Sequence, residues 1–465
     1  MPLNILGTIL LDGTDAVPGW QYIKKYAPPL IGLGLTKFYF SGTSNTWERD
    51  LHGKVYIVTG GTSGIGASLC YDLASKGAQL VILTSQLDED DSSGGSLWIS
   101  DFIQDLRDKT DNFMIYAESC DLSSLYSIRK FATKWLDNSP PRRLDGIICC
   151  AAESLPIGKK REASIDGVER QIAINYLGHY HLLTLLEPAL KVQLADRDVR
   201  IILTTCLSQS MGQLDLNDLI WENRKFPSNS PWKVYGTSKL MLNMFGKEYQ
   251  KRLDKFERKD GMLNNVRINM VNPGIVRTPS TRRVISMGSI LGLIIYLLLY
   301  PIFWLFLKST EGGMQSILYG LTSPEFMQIK GGNYIKECSI LEKESRSELK
   351  NDELQSELFD KTKELIEELE KRSAIERNKL KKNNKTKQKK EDVSKITELN
   401  ETNENLQKDK LSIFSSAFKQ TQDPIIELPK EPLYPDLSKL TDDKAKNLRL
   451  RSLDEKFEKA RKRKV

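Results

Sequence analysis

The sequence predicts an α/β protein built on a doubly wound parallel sheet, and three observations carry that reading. From residue 53 to about residue 340, apolar β-branched runs alternate with stretches long enough for helices. Repeated βα alternation of this kind argues for parallel strands with helices on both faces. The first run, Val55 to Thr59, passes directly into Gly60-Gly61-Thr62-Ser63-Gly64-Ile65-Gly66 and then into a helical pattern of Ile65, Leu69 and Leu73 closed by Gly77. The segment Tyr235-Gly236-Thr237-Ser238-Lys239 follows the fifth run.

Taken in order, strands are expected over Val55–Thr59, Gln79–Thr84, Phe113–Cys120, Gly146–Ala151, Val199–Thr205 and Val266–Val271. A glycine-rich turn between the first strand and its helix points backbone N–H groups and a helix N-terminus at a pyrophosphate. In that turn Gly60 allows the tight bend, Gly64 lets phosphates approach the backbone, and Gly66 lets the helix pack close to the sheet. Residues 1–52 read as an irregular leader, in which Pro28-Pro29, Gly32 and Gly34 work against a long helix. Packing against the neighbouring domain is the favoured role for its aromatic residues, with membrane contact as the alternative. Residues 53–344 hold the alternating pattern and are expected to form one α/β domain. Residues 345–465 read as a charged, low-complexity tail, largely disordered or helical, because positions 346–465 hold 30 basic and 25 acidic side chains. Such a segment buries too little apolar area to offset its ordering entropy. Leu354, Leu358, Leu365 and Leu369 can line one face of a solvated helix, with a coiled coil as the sharper alternative. The lysines from Lys379 to Lys390 and the terminal Arg461-Lys462-Arg463-Lys464 are basic clusters, read as solvated, with anionic lipid head groups or RNA as alternative contacts.

A length of 465 residues allows one large α/β domain with appendages, or two to three domains. The net charge of +7 arises from 68 basic and 61 acidic residues, too mild a bias to argue for nucleic acid. Six cysteines without a C-x-x-C pair indicate reduced, cytosol-facing thiols. Three histidines, at 52, 179 and 181, are too few and too badly spaced for a zinc site, so no metal is expected. The N-terminus lacks the pattern of a cleaved signal peptide.

On a helix, positions 235 and 239 share a face, so the Lys239 ammonium can lie near the Tyr235 phenol. A nearby positive charge stabilises phenolate, which would lower the tyrosine pKa and tune it for proton exchange with a carbonyl or alcohol oxygen. Spacing alone is weak evidence, since Tyr126 and Lys130 repeat it. Only the 235/239 pair follows the fifth strand, where a doubly wound sheet can aim it at a cofactor cleft.

With these residues in view, the chain resembles the short-chain dehydrogenases/reductases, particularly the retinol-dehydrogenase-like branch, over roughly residues 53–340. The glycine turn matches that family's nucleotide motif. Cys120-Asp121-Leu122 resembles its C/L-D-L element, which implies that Asp121 meets the adenine. Asn175, in Ile174-Asn175-Tyr176-Leu177-Gly178-His179, matches the asparagine that holds a proton-relay water. Asn272-Pro273-Gly274-Ile275-Val276-Arg277-Thr278 resembles the motif beside the nicotinamide, and Lys308–Gly313 and Gly331–Tyr334 resemble the last helix and strand. The implied catalytic set is Tyr235, Lys239, Asn175 and Cys206, with Ser208 or Thr205 as substitutes for Cys206. The implied cofactor set is Gly60, Thr62, Ser63, Gly64, Ile65, Gly66, Asp121, Ala151, Tyr235, Lys239, Pro273, Gly274, Val276 and Thr278. Lys239 would also bind the ribose.

Two departures stand out. Thr204-Thr205-Cys206-Leu207-Ser208 replaces a strand ending V-S-S, putting a thiol, a weak donor, on the serine position. Cys149-Cys150-Ala151-Ala152 replaces N-N-A-G, losing two side-chain amides. These changes motivate an alternative reading as a catalytically weak nucleotide-binding scaffold whose tail recruits a partner. For the cofactor, the second strand ends Leu83-Thr84-Ser85-Gln86, with no acid before Asp88 to hold a ribose 2′-hydroxyl. An arginine for a 2′-phosphate is missing as well, and the absence of a repelling carboxylate tilts the choice toward NADP(H) over NAD(H).

Val284 to Leu307 is 24 residues without a formal charge, long enough to span a bilayer. A single crossing would strand Thr310–Tyr319 and Tyr334-Ile335 on the wrong side, so the segment should enter and leave on one face, as a re-entrant hairpin or interfacial helix pair. Pro301, Gly288 and Gly292 offer places to bend. The alternative is a fully buried lid or a homodimer interface. These readings together lead to an expected NAD(P)-dependent oxidoreductase on the cytosolic face of a membrane, endoplasmic reticulum or lipid droplet, acting on a lipophilic alcohol or carbonyl.

Overall fold

The structure is a computed structural model describing residues 20–87, 95–342 and 346–379. Its sheet comprises β1 (Val55–Thr59), β2 (Gln79–Thr84), β3 (Ile115–Ser119), β4 (Gly146–Cys149), β5 (Val199–Thr204), β6 (Val266–Asn272), β7 (Asn333–Lys336) and β8 (Ser339–Ile340). The spatial order is β3-β2-β1-β4-β5-β6-β7-β8. All neighbours run parallel except β7 and β8, so the expected doubly wound, Rossmann-like sheet is present and ends in a short antiparallel edge. Strand order reverses between β1 and β4, paired from Tyr56 with Gly146 to Thr59 with Cys149, and a crevice opens beyond their C-terminal ends.

The helices are α1 (Trp20–Ser41), α2 (Gly64–Ser75), α3 (Gly95–Thr110), α4 (Leu125–Leu136), α5 (Gly178–Leu185), α6 (Glu187–Lys191), α7 (Trp232–Asp254), α8 (Pro279–Ile285), α9 (Ile290–Leu298), α10 (Tyr300–Phe306), α11 (Thr310–Thr322) and α12 (352–379). Alternate side chains of each strand feed two cores. Val55 and Ile57 join Ile128 of α4, Leu182 of α5 and Phe245 of α7 on one face. Tyr56 and Val58 join Leu69 of α2, Ile99 of α3 and Ile317 of α11 on the other. Continuous apolar runs are what a strand covered on both faces requires.

Three expectations change. Within the described part of the leader, residues 20–52, α1 is helical for 22 residues through Pro28 and Pro29 and not irregular. Its C-terminal end is held by α10, where Phe40 meets Phe306 edge-on at 5.0 Å and Lys37 Nζ donates to the carbonyls of Trp304 (2.7 Å) and Leu307 (3.2 Å). Residues 352–379 are neither a solvated helix nor half of a coiled coil. Leu358, Phe359, Ile366 and Leu369 are buried in the core on the α4–α5–α7 face. Phe359 packs on Tyr180 (5.0 Å between centroids) and Phe245 (5.9 Å), Thr362 Oγ1 meets the Tyr176 hydroxyl at 2.7 Å, and Glu370 pairs with Arg129. Charge averaged over 120 positions hid this face, whose apolar partner surface is supplied by α5 and α7. The compact unit therefore ends near residue 380 instead of 344. The basic stretch beyond Lys379 and Arg461–Lys464 lie outside the described residues, as does Asp88.

The apolar segment is an excursion from a closed root. Val276 bridges Lys308, the Arg277 N–H donates to the Lys308 carbonyl (2.9 Å) and the Lys308 N–H to the Ile275 carbonyl (3.1 Å), so the chain leaves and returns at one point. Among the described residues no single helix is long and apolar enough to cross a membrane, and α8 and α9 are bent by 108°. Gly288, at a φ of 63°, sits in that bend, while Pro301 starts α10. Among the described residues the segment is not a buried lid, since Tyr296 is the sole buried residue of α9 and α10.

Truncating Phe359 to alanine removes an aromatic ring from the middle of the α7–α12 contact. It should cost about 3 kcal/mol, read as a lower urea midpoint at unchanged fold by circular dichroism.

Candidate active site

A cleft of about 650 Å³ opens at the sheet's switch point. Its floor on one side is the glycine turn: Gly60, Thr62, Ser63, Gly64, Ile65 and Gly66 all line it. A Cβ on Gly66 would lie 2.2 Å from the Gly60 carbonyl oxygen, and Gly60 itself, at a φ of 66°, has Ala151 Cα within 2.7 Å of its notional Cβ. The turn is thus compressed between α2 and the loop after β4, as the spacing anticipated. Ser63 precedes α2 without capping it by its side chain, leaving the first N–H groups of a 12-residue helix for a ligand. Asp121, Ala151, Pro273, Gly274, Val276 and Thr278 line the same cleft. The Asp121 carboxylate is held in place by the Ser123 N–H and hydroxyl, both at 2.8 Å. Uncapped N–H groups, a cradle that a Cβ would fill and a fixed carboxylate suit a dinucleotide. The residues present fit NAD(P).

The candidate catalytic pair sits at the cleft's inner end, where α7 lays Tyr235 and Lys239 against the ends of β4 and β5. Lys239 is buried and Nζ donates to the Thr204 carbonyl at 2.9 Å, lying 5.8 Å from the centroid of the Tyr235 ring. Burial lowers the Lys239 pKa to about 8. The expected lowering of the Tyr235 pKa does not occur: burial raises it well above the ordinary value, and the Cys206 thiol within hydrogen-bonding reach adds to the rise. An ammonium directed at the Thr204 carbonyl is poorly placed to stabilise phenolate, so Tyr235 holds its proton. A phenol of that kind is a donor toward a carbonyl oxygen. Tyr126, of the matching spacing, stands 48% exposed on α4, away from the cleft.

Of the three residues considered for the serine role, Cys206 and Thr205 line the cleft and Ser208 does not. Thr205 Oγ1 donates to the Val271 carbonyl at 3.2 Å, so its hydroxyl is committed and Cys206 faces the reacting region. Asn175 also differs from its implied place. It is fully buried and does not line the cleft. Its Oδ1 accepts from the Glu153 N–H (2.7 Å), and its Nδ2 donates to the Glu153 carbonyl (2.9 Å) and to Ser238 Oγ (3.0 Å). With both ends of the amide engaged, Asn175 acts as a positioning residue, tying the loop after β4 to α7 one residue before Lys239. It lies in a π-type turn, Ala173–Leu177, a distortion frequent at functional sites.

Several working residues escaped the sequence reading. The Ala151 N–H donates to Thr59 Oγ1 (3.2 Å), which meets His179 Nε2 (3.0 Å), while His179 Nδ1 meets the Asn175 carbonyl (3.2 Å). Burial lowers the His179 pKa to about 3, so the ring is neutral, and a proton on Nδ1 satisfies every bond in this relay. It supplies a tie where the N-N-A-G amides are missing. Across the mouth, Arg283 Nη2 reaches Glu153 Oε1 (2.5 Å) and the Ser154 carbonyl (2.6 Å), latching α8 to the loop after β4. Ile174, Trp232, Ile275, Val284 and Ile285 give the outer cleft apolar walls. Residues 130 apart in sequence leave no local signal of a latch.

The sequence is similar to several known proteins. The family model described as short chain dehydrogenase matches residues 54–215. An uncharacterized oxidoreductase of Saccharomyces cerevisiae is 48% identical over 84% of this chain and 98% of its own length. Human retinol dehydrogenase 13 is 30% identical, covering 66% of this chain and 86% of its own. Mouse polyprenol dehydrogenase is also 30% identical, over 66% and 82%. A crystal structure of an uncharacterized protein from Mycobacterium paratuberculosis aligns with a TM-score of 0.48 at 21% identity, over 68% of this chain and 94% of that one. The fold and site define an NAD(P)-dependent oxidoreductase of the alcohol/carbonyl type. The chain belongs to the short-chain dehydrogenase/reductase family, in its retinol-dehydrogenase-like branch.

Tyr235→Phe should lower turnover about a hundred- to ten-thousand-fold, the usual range for removing an acid–base group, with cofactor affinity by fluorescence titration unchanged. Because Lys239 is charged below pH about 8 and loses its proton above it, turnover should fall as pH rises through that value. Lys239→Arg, which stays charged, should flatten the alkaline limb of the pH–rate profile.

Proposed function

We propose that this enzyme interconverts a lipophilic alcohol and its carbonyl at a membrane surface, with NADP(H) as its cofactor. The observation that carries the reading is a cleft whose outer walls are apolar and whose roof continues into α9 and α10, helices without a charged residue and almost wholly exposed. A long apolar substrate could pass from lipid along the lid to Tyr235 without crossing water. The printed names of two relatives, retinol dehydrogenase and polyprenol dehydrogenase, describe alcohols with extended apolar parts. The stretch Leu83 to Leu87 offers no carboxylate to repel a 2′-phosphate, which supports NADP(H). Six free cysteines suit a reducing compartment, hence a cytosol-facing membrane such as the endoplasmic reticulum or a lipid droplet.

In this mechanism the bound nicotinamide supplies or accepts the hydride. The chain's own residues do the rest. Cys206 and the Tyr235 hydroxyl would flank the substrate oxygen, with Tyr235 donating its proton in the reductive direction. The Thr204 carbonyl fixes Lys239, and Asn175 and Ser238 fix the turn of α7 that carries the pair. The Arg283–Glu153 latch ties α8, and the lid that follows it, to the loop after β4 at the cleft mouth. A thiol is a weaker donor than a hydroxyl. Cys206→Ser should therefore raise turnover about tenfold, equivalent to about 1.4 kcal/mol of added hydrogen-bond stabilisation in the transition state.

The test is cofactor oxidation by detergent-solubilised protein against retinoid, prenyl, steroid and short polar carbonyls, each with NADPH and NADH. The reading expects the highest kcat/KM for long apolar carbonyls with NADPH. Preference for short polar carbonyls would overturn the substrate class, and preference for NADH the cofactor assignment.

A further inference from the structure

The least explained feature of the chain is α1. None of its 22 residues is buried, and Leu30, Leu33, Leu35, Phe38 and Tyr39 stand 51–80% exposed. Surface helices of water-soluble domains normally bury an apolar stripe, whereas this one leaves apolar side chains open on all sides over most of its length. Its C-terminus is nevertheless tightly placed. Beyond Ser41, the Thr43 N–H donates to Glu337 Oε2 (3.2 Å), and Glu337 also pairs with Lys308, the closing residue of the lid's root. Helix and lid therefore spring from one point. Lys37 then bonds both the Trp304 and Leu307 carbonyls, and its Nζ lies 5.1 Å over the Trp304 ring. These bonds satisfy carbonyl groups at the end of α10 that no intrahelical donor reaches.

We propose that α1 and the α9–α10 lid form one composite surface, clipped together by Lys37, that docks on the interface of an anionic phospholipid bilayer. This rests on the reading above that the lid meets lipid, and it adds a second element that the reading did not require. The lid exposes Ile290, Leu297 and Leu298 at 61–82%, as α1 exposes its own apolar side chains. Charge decides the occupant. Residues 20–47 and 273–310 contain no aspartate or glutamate, while Lys24, Lys25, Lys37, Arg277, Arg282 and Arg283 lie within them. Apolar helices flanked by basic side chains and rich in Trp, Tyr and Phe suit the head-group boundary of an anionic leaflet. Helices also satisfy their own backbone groups, as lipid demands. Because the clip joins α1 to the lid, and α8, which carries Arg283, leads into that lid, docking would hold the cleft mouth at the lipid surface.

The test is flotation of the full-length protein with phosphatidylcholine vesicles, with and without 20% phosphatidylserine (about that fraction gives a substantial surface potential). Three variants are compared with the unaltered chain: Leu33→Ser with Leu35→Ser and Phe38→Ser in α1, Ile290→Ser with Leu297→Ser and Leu298→Ser in the lid, and Lys24→Glu with Lys25→Glu. All substituted side chains are exposed, and a thermal melt together with turnover of a water-soluble carbonyl verifies folding. The proposal expects the unaltered chain to bind anionic vesicles at least about tenfold better than neutral ones, and each variant to lose most of that binding. An α1 variant that floats normally while the lid variant does not would overturn the composite surface and leave the lid reading standing. An unaltered chain that fails to float would overturn both. Equal binding to neutral vesicles, or none lost by the Lys24/Lys25 variant, would overturn the anionic specificity.

Discussion

The active centre depends on a single buried ammonium. Lys239 projects from α7 toward the end of β5, and its bond to the Thr204 carbonyl compensates part of the cost of removing a charge from water. Thr204 in turn donates its hydroxyl to the Cys149 carbonyl at 2.5 Å, so one residue links β4, β5 and the catalytic helix. The same burial that depresses Lys239 keeps the Tyr235 phenol protonated. The two groups are joined less by mutual attraction than by sharing one poorly solvated corner.

Around that corner lies a frame of polar ties that no water need complete. Thr59, His179 and Asn175 connect the end of β1, the loop after β4 and the turn before α5. Asn175 then reaches Ser238, on the helix that carries Lys239. Such a network fixes the Tyr235–Lys239 helix relative to the cofactor cradle to within hydrogen-bond tolerance. It passes outward as well: Glu153, gripped by Asn175 through its backbone, is gripped by Arg283 through its side chain. Lid position and the geometry of the cleft share that residue, so a displacement of α8 has a route to the Tyr235–Lys239 helix.

Two helices outside the α/β alternation divide the remaining surface. On one side α12 covers the aromatic group of Tyr180, Phe245 and Phe359, burying it. At the lid, α1 leaves its apolar residues open. The chain thus shields one hydrophobic face with its own C-terminal helix and leaves another unshielded, which is how an interaction surface differs from core.

Much of this was legible in the linear order of residues. Strand runs, the glycine turn and the 235/239 pair follow from local periodicity and steric need, because each depends on neighbours within a few positions. Most of the cleft lining was legible for the same reason: a parallel sheet brings successive strand ends to one edge. The returning path of residues 284–307 could be argued from topology alone, since strand β7 had to rejoin the sheet. What the tertiary structure decided were the matters that hinge on distant partners. Where the end of α1 is held depends on α10, and whether 352–379 is solvated depends on α5 and α7. Whether Lys239 lowers or spares the Tyr235 pKa depends on which carbonyl the ammonium meets. The committed amide of Asn175 and the Arg283–Glu153 latch belong to the same class: burial and side-chain pairing are properties of three-dimensional neighbours, and those are assigned only once the chain has folded.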